Sequence, residues 1–202
     1  YSVEDWQGRF VILTNADDAT NFKLMWAEES DPARKNWRDW IPHDPKAFIT
    51  GMKPFRDYFV REERVGANSR LVVTHARTMS DHTIPFPDAA SAVDVSPHQE
   101  YASSKVRYTY QSPRQPTQWI AYDMAAAHPA ILKTEAVGGG FDRDDYVVER
   151  VYATADDGAK VPITVLRHRK TKLDGSAPLM MYGYGSYGDF VQPEFSAPLL
   201  SL

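Results

Sequence analysis

Residues 105–122 have the sequence KVRYTYQSPRQPTQWIAY, and this stretch decides the predicted fold. Polar and apolar side chains alternate strictly from Lys105 to Tyr110, which is typical of a half-buried β-strand. A proline-containing polar turn from Ser112 to Pro116 follows, and a second strand-like run ends at Tyr122. The stretch therefore predicts a strand–turn–strand unit.

The same layout occurs twice earlier in the chain, at residues 10–26 and 57–74. The units start at residues 10, 57 and 105, which is a spacing of 47 and 48 residues. Shorter strand-like pieces lie between them, at residues 47–50 and 92–95. A period in the forties with several strands per unit is typical of propeller blades, although an antiparallel sandwich also has regularly spaced strands. Three blades cannot close a ring, so the sequence predicts about three blades of a partial β-propeller.

The composition excludes several classes of protein. Apolar residues make up 43% and charged residues 25%, which excludes a disordered tail, a collagen and a coiled coil. No apolar run approaches the ~18 residues of a membrane helix. There is no cysteine and the net charge is −4 with both signs interspersed, so we expect no disulfide framework, no cofactor, and neither nucleic acid nor a membrane as partner. A cytoplasmic location fits this composition, and a periplasmic one stays open.

The chain changes character after Lys133. Gly138, Gly139 and Gly140 form the only glycine run, which predicts a linker or hinge and a domain boundary near residues 137–141. Beyond it, two strand-like runs at residues 146–154 and 160–167 flank Asp157-Gly158, a strong hairpin signal. Residues 179–182 predict a short buried strand. The one candidate helix, residues 32–40, is short.

The two ends of the chain are interpreted as those of an internal fragment. The sequence begins at Tyr1 rather than Met and stops at an apolar stretch, residues 199–202, whereas chain termini usually fray in solvent.

Residues 182–188, YGYGSYG, admit three interpretations. The glycines match the G-x-G-x-x-G dinucleotide fingerprint of an oxidoreductase, but no helical pattern follows, so this interpretation is rejected. A nucleophile elbow G-x-S-x-G fails because Tyr184 stands where its first glycine must be. An oxyanion loop, in which a phenol or backbone donor points into a cleft, stays open beside a plain glycine-rich turn with packed tyrosines.

The histidines and acidic pairs give no metal site. The six histidines lack ligand spacing and are interpreted as surface or turn residues. The pairs Asp17-Asp18 and Asp144-Asp145 lack the pattern of a calcium loop and indicate solvated turns.

The junction and the glycine-rich loop resemble those of the oligopeptidase B branch of the prolyl oligopeptidase family of serine peptidases. The resemblance rests on residues 139–142 (GGFD), 153–162 (ATADDGAKVP) and 182–188, and on weaker matches in residues 10–22 and 41–43. It implies a seven-bladed propeller joined to an α/β-hydrolase domain. Residues 1–137 would then be the last blades, and residues 138–202 the opening strands of the catalytic domain.

The resemblance also implies a role for one residue and an activity for the parent protein. Tyr184 would donate a hydrogen bond to the tetrahedral intermediate, next to a backbone N–H at the nucleophile. The nucleophile, the acid and the histidine follow this loop in the fold's chain order, so they would lie beyond Leu202. The parent would hydrolyse short peptides after Arg or Lys, and this segment alone would be inactive.

A non-catalytic propeller-type binding module is the alternative function. Open blades and an unfinished sheet leave unpaired edges, so we expect the segment to self-associate.

Overall fold

The computed structural model describes residues 1–201, and the side chains of residues 1–200. The last residue of the predicted second domain, Leu202, lies outside the described residues. The described part of the chain is built mostly of strands, which form three four-stranded sheets and a two-stranded hairpin. Among residues 1–201, the helical residues form three short 3-10 turns at Arg34–Asn36, Arg143–Asp145 and Ala197–Ser201. No helix among residues 1–201 has the length and apolar character needed to cross a membrane.

The strands follow one another in chain order within every sheet. The first sheet contains β1 (Ser2–Trp6), β2 (Arg9–Thr14), β3 (Lys23–Glu28) and β4 (Arg38–Ile41). The second contains β5 (Ala47–Pro54), β6 (Tyr58–Val65), β7 (Asn68–His75) and β8 (Asp81–Thr83), and the third β9 (Ala92–Val95), β10 (Lys105–Ser112), β11 (Gln115–Asp123) and β12 (His128–Thr134). The hairpin consists of β13 (Tyr146–Thr154) and β14 (Lys160–His168).

The three predicted strand–turn–strand units are confirmed as the two middle strands of the three sheets. The pairs are β2–β3, β6–β7 and β10–β11. The middle strands are the ones that carry strong apolar patterns, and at least half of the residues of each are buried. The shorter pieces at residues 47–50 and 92–95 correspond to the start of β5 and to β9.

The chain divides into two compact units. The first comprises Tyr1–Pro85, Val95–Tyr108 and Ile120–Ala130, and the second comprises Phe86–Asp94, Thr109–Trp119 and Ile131–Leu202.

The first unit has an aromatic core between its first two sheets. Phe59, fully buried, lies against Trp6 and Trp40, with ring centroids 5.1 and 5.0 Å away. Trp40 also stacks on Trp6 and on Trp26, at 5.3 and 5.7 Å. The Trp6 indole donates to the carbonyl of Phe55 at 2.7 Å, so its one polar group is satisfied inside the core.

The second unit contains the predicted hairpin. β13 and β14 pair in antiparallel register from Tyr146↔His168 to Thr154↔Lys160. Gly158 adopts a φ of 86° in the connecting turn, a left-handed conformation that glycine tolerates without strain. The Asp157-Gly158 hairpin prediction is therefore confirmed.

Two local predictions were wrong. Residues 32–40 are not a helix: a 3-10 turn covers Arg34–Asn36, and Arg38–Ile41 is strand β4. Pairing with β3 and stacking of Trp40 in the core override the local preference. Residues 179–182 form no strand and are exposed, Leu179 to 84% and Met181 to 83%, because no strand of the described residues pairs with them.

Candidate functional site

The candidate site is the glycine-rich loop at residues 182–188, in the second unit. Residues 181–185 have no regular structure, and the loop ends in a tight turn. The turn closes when the Asp189 N–H donates to the Ser186 carbonyl at 3.0 Å. Its central residues, Tyr187 and Gly188, have φ values of 58° and 76°, as in a type I′ turn.

Tyr184 lies in the extended part of this loop and is 49% exposed. No atom lies within 4 Å of the position where a side chain would begin at Gly183 or Gly185. The loop is therefore an open glycine-flanked segment that presents a phenol to solvent. Tyr182 and Tyr187 are exposed as well, to 72% and 100%, so the alternative of packed tyrosines in a plain turn does not describe this loop.

The histidines lie in turns, strands and surface positions of the described chain. The rings of His75 and His168 accept hydrogen bonds from backbone N–H groups two residues further on, at 3.2 and 3.1 Å. His82 packs against the Tyr122 ring, with centroids 6.0 Å apart, and burial lowers its pKa against a smaller opposing effect of Asp81.

The acidic pairs occupy turns, as the sequence predicted. Hydrogen bonds from Lys23 and Arg34 to Asp17 lower the pKa of that carboxyl. Asp145 pairs with Arg169 at 2.7 Å. The carboxylates of Asp17 and Asp145 are therefore already paired with cationic side chains of this chain.

Two hollows lie in the first unit. One, of about 330 Å³, is lined by residues that include Arg9, Trp26 and Glu28. Arg9 donates to Glu28 at 2.9 Å and lies over the Trp26 ring at 4.7 Å. Both charges are thus already paired.

The other hollow, of about 220 Å³, is lined by residues that include Arg61, Glu63 and Arg70. Arg61 donates to Glu63 at 2.7 Å and to Asp81 at 2.8 Å. Burial by itself lowers the pKa of Arg61, but the hydrogen bonds that Arg61 donates to Asp81 and Glu63 outweigh it and raise the pKa. No histidine is among the described residues that line either hollow, so neither offers a serine–histidine pair.

Successive four-stranded sheets at a nearly constant spacing define the class of protein as a β-propeller domain. Residues 1–135 match the family model for the prolyl oligopeptidase N-terminal β-propeller domain. The chain belongs to the prolyl oligopeptidase family, and the resemblance seen in the sequence is confirmed.

Known members of the family match the whole chain. Dipeptidyl aminopeptidase BI from Pseudoxanthomonas mexicana is 36% identical over 203 residues, which cover 100% of this chain and 28% of that protein. Protease 2 from Moraxella lacunata is 29% identical over 202 residues, covering 100% of this chain and 29% of that protein. The chain thus spans less than a third of the length of these relatives.

A solved structure matches the fold closely. Oligopeptidase B from Trypanosoma brucei, in a closed form with covalently bound antipain, superimposes with a TM-score of 0.87 at 31% identity. The match covers 98% of this chain and 29% of that one. The superimposed region therefore includes residues before and after the glycine run at 138–140.

Proposed function

We propose that this chain is a segment of a serine oligopeptidase that hydrolyses short peptides after Arg or Lys. The single observation that carries the proposal is the match of nearly the whole chain to oligopeptidase B, with a TM-score of 0.87. Residues 1–137 are about three blades of the propeller, one for each four-stranded sheet. Residues 138–202 open the α/β-hydrolase domain, and they begin with the β13–β14 hairpin.

In this proposal Tyr184 stabilises the oxyanion. When a serine attacks the scissile carbonyl, negative charge develops on the carbonyl oxygen, and a preorganised O–H donor stabilises that charge. The open loop and the 49% exposure of Tyr184 support the role, because the phenol is accessible to a group outside the loop. The nucleophile, the acid and the histidine come from chain that follows this segment, so the segment alone is inactive.

The test uses the longer protein that contains this chain. Tyr184→Phe removes the hydroxyl and keeps the ring. We expect turnover to fall on the order of 10²- to 10³-fold, which corresponds to ~2.7–4 kcal/mol of lost transition-state stabilisation. Thermal unfolding of the protein should be unchanged.

Tyr187→Phe is the matched control, because it makes the same change in the same loop at a fully exposed ring. Its turnover should equal that of the wild type. Equal turnover of Tyr184→Phe and Tyr187→Phe would refute the oxyanion role.

The existence of a longer active protein has its own test. An antibody raised against this segment is used on lysate of the source cells, together with a fluorophosphonate that labels active serines. We expect a labelled band several times heavier than 22.9 kDa. An unlabelled band near that mass would refute the peptidase proposal in favour of the binding module.

We also propose that the isolated segment self-associates. β13 and β14 pair with each other in a two-stranded sheet, so each keeps one edge available for another strand. Val151 and Ile163 lie on these strands with 44% and 38% of their surface exposed. Exposed edges of this kind favour pairing with a second chain.

A further inference from the structure

In the second unit, the buried carboxylate of Asp88 accepts hydrogen bonds from three side chains. The Asp88 side chain is 2% exposed. It accepts hydrogen bonds from the Tyr110 hydroxyl at 2.7 Å, the Ser112 hydroxyl at 2.8 Å and Arg114 Nε at 2.6 Å. Burial by itself raises the pKa of Asp88, but hydrogen bonds from Tyr110, Arg114 and Ser112 outweigh it and lower the pKa. The carboxylate is therefore held as an anion.

Through these bonds, Asp88 fixes the tight turn between β10 and β11. Ser112, held by Asp88, accepts the backbone N–H of Gln115 at 3.1 Å. The Gln115 side-chain amide donates from Nε2 to the Pro116 carbonyl at 2.9 Å. Gln115 Oε1 is consequently aimed away from its own backbone and accepts a hydrogen bond from Arg143 Nη1.

The partner of this turn is the 3-10 turn that follows the glycine run. Asp142 begins it by accepting the backbone N–H of Asp144 at 2.9 Å. Asp144 lies between two guanidinium groups, 3.7 Å from Arg114 Nη1 and 3.6 Å from Arg143 Nε. Arg114 thus reaches both the buried Asp88 and the exposed Asp144.

Residues 138–140 form an exposed connection just before the 3-10 turn. The three glycines are exposed, and Gly139 and Gly140 have φ values of 79° and 74°. A side chain added at any of them would meet nothing within 4 Å. Packing at the glycines therefore does not hold the segment that follows in place. The contacts of Arg114, Arg143 and Asp144 hold it, together with the packing of Phe141 on Phe195, whose N–H donates to Gln111 on β10.

We propose that Arg114, Arg143 and Asp144 form a releasable clasp, anchored on Asp88, that fastens the 3-10 turn Arg143–Asp145 to the β10–β11 turn. When it opens, the glycine run becomes a hinge for the β13–β14 hairpin that begins at Tyr146. The clasp is charged and partly exposed, with Asp144 at 74% and Arg143 at 36%, so screening by salt weakens it. This inference stands whether or not the longer protein is a peptidase.

Hydrogen–deuterium exchange on the 202-residue chain tests the clasp. The reporters are the amides of Asp144 and Asp145, which both donate to Asp142 in the closed turn. Arg143→Met keeps the apolar stem and removes every donor. We expect the protection factors of these two amides to fall about tenfold, as for the loss of a charged hydrogen bond, while those of β6 and β7 stay unchanged.

Arg167→Gln is the matched control, because it removes an arginine whose partner, Glu149 at 3.2 Å, lies within the hairpin itself. It should leave the protection of Asp144 and Asp145 as in the wild type. Protection of these amides in Arg143→Met equal to that in the control would overturn the clasp.

If Arg143→Met unfolds the chain, the amides of β6 and β7 will also lose protection. A milder variant then tests the clasp. Asp144→Asn changes a side chain that is 74% exposed, so the fold survives. We expect exchange at Asp145 to rise two- to threefold at low ionic strength and the difference from the wild type to vanish at about 1 M salt, where the Debye length is ~3 Å. Equal exchange of wild type and variant at low salt would overturn the proposal.

Discussion

Removal of the charge of Asp88 should destabilise the second unit by about 3 kcal/mol. Breaking a buried ion pair by changing one partner typically costs ~3–5 kcal/mol, and the Asp88 side chain is 2% exposed. Two features place Asp88→Asn at the low end of that range. Arg114 is 23% exposed, so its guanidinium reaches water, and asparagine keeps one oxygen to accept from Tyr110 or Ser112.

For a chain of this length, each kcal/mol shifts Tm by ~2–4 °C. Asp88→Asn should therefore lower Tm by about 6–12 °C at pH 7, measured by circular dichroism. Asp156→Asn, an exposed turn residue, is the control and should leave Tm unchanged. A Tm of Asp88→Asn within 2 °C of the control would refute the assignment of Asp88 as the anchor, a limit set by the ~2–4 °C expected for a single kcal/mol.

The pH dependence gives a second check on the same variant. The pKa of Asp88 is lowered below 3.8 in the folded state, so its contribution to stability is complete above the unfolded pKa. It is lost as the pH falls through the folded pKa. The Tm difference between wild type and Asp88→Asn should hold from pH 8 to about pH 5 and shrink below about pH 4. A difference that grows in acid would contradict the sign of the pKa shift.

The remaining predictions concern the aromatic core and the open hairpin. Phe59→Ala should cost ~3–5 kcal/mol in the free energy of unfolding, because Phe59 is fully buried between Trp6 and Trp40; a urea midpoint equal to that of the wild type would contradict this core. Light scattering of the isolated chain should give a mass above 22.9 kDa that rises with protein concentration, and a monomer at every concentration would refute self-association.

The middle strands of each sheet could be predicted because burial of their side chains, on one face or on both, gives an apolar pattern in the sequence. β2 and β7 contain the apolar runs Val11 to Leu13 and Leu71 to Val73, and these residues are buried. β10 keeps the alternation that marks one buried face, with Val106, Tyr108 and Tyr110 pointing inward. Turn residues between these runs then set the limits of each pair.

The outer strands β4, β8 and β12 could not be predicted because their sequences contain no such pattern of buried apolar residues. β8 has three residues and β4 has four, and none of their side chains is buried. All seven residues of β12 are exposed. Such strands exist because a neighbouring strand offers free backbone donors and acceptors, and single-sequence periodicity does not contain that information.

The clasp could not be predicted from the sequence, for a different reason. Asp88, Arg114 and Arg143 are separated by 26 and 29 positions, and isolated Asp and Arg residues are ordinary surface residues in a soluble chain. Only the fold brings them together and buries one of them. Gly138, Gly139 and Gly140, in contrast, indicated a linker from the sequence alone, because three glycines are costly in a strand.

Tyr184→Phe distinguishes a peptidase from a binding module, because the substitution should lower the turnover of a peptidase without changing its stability. The ring is half exposed, and the glycines on either side of it have open space around them, so loss of the hydroxyl removes little packing. A binding module would bear Tyr184→Phe without change in stability, and it has no turnover to lose. In a peptidase, the same variant would unfold at the wild-type temperature and still lose turnover on the order of 10²-fold or more. Unchanged stability with a large loss of turnover is therefore an outcome that a purely structural role of this loop does not produce.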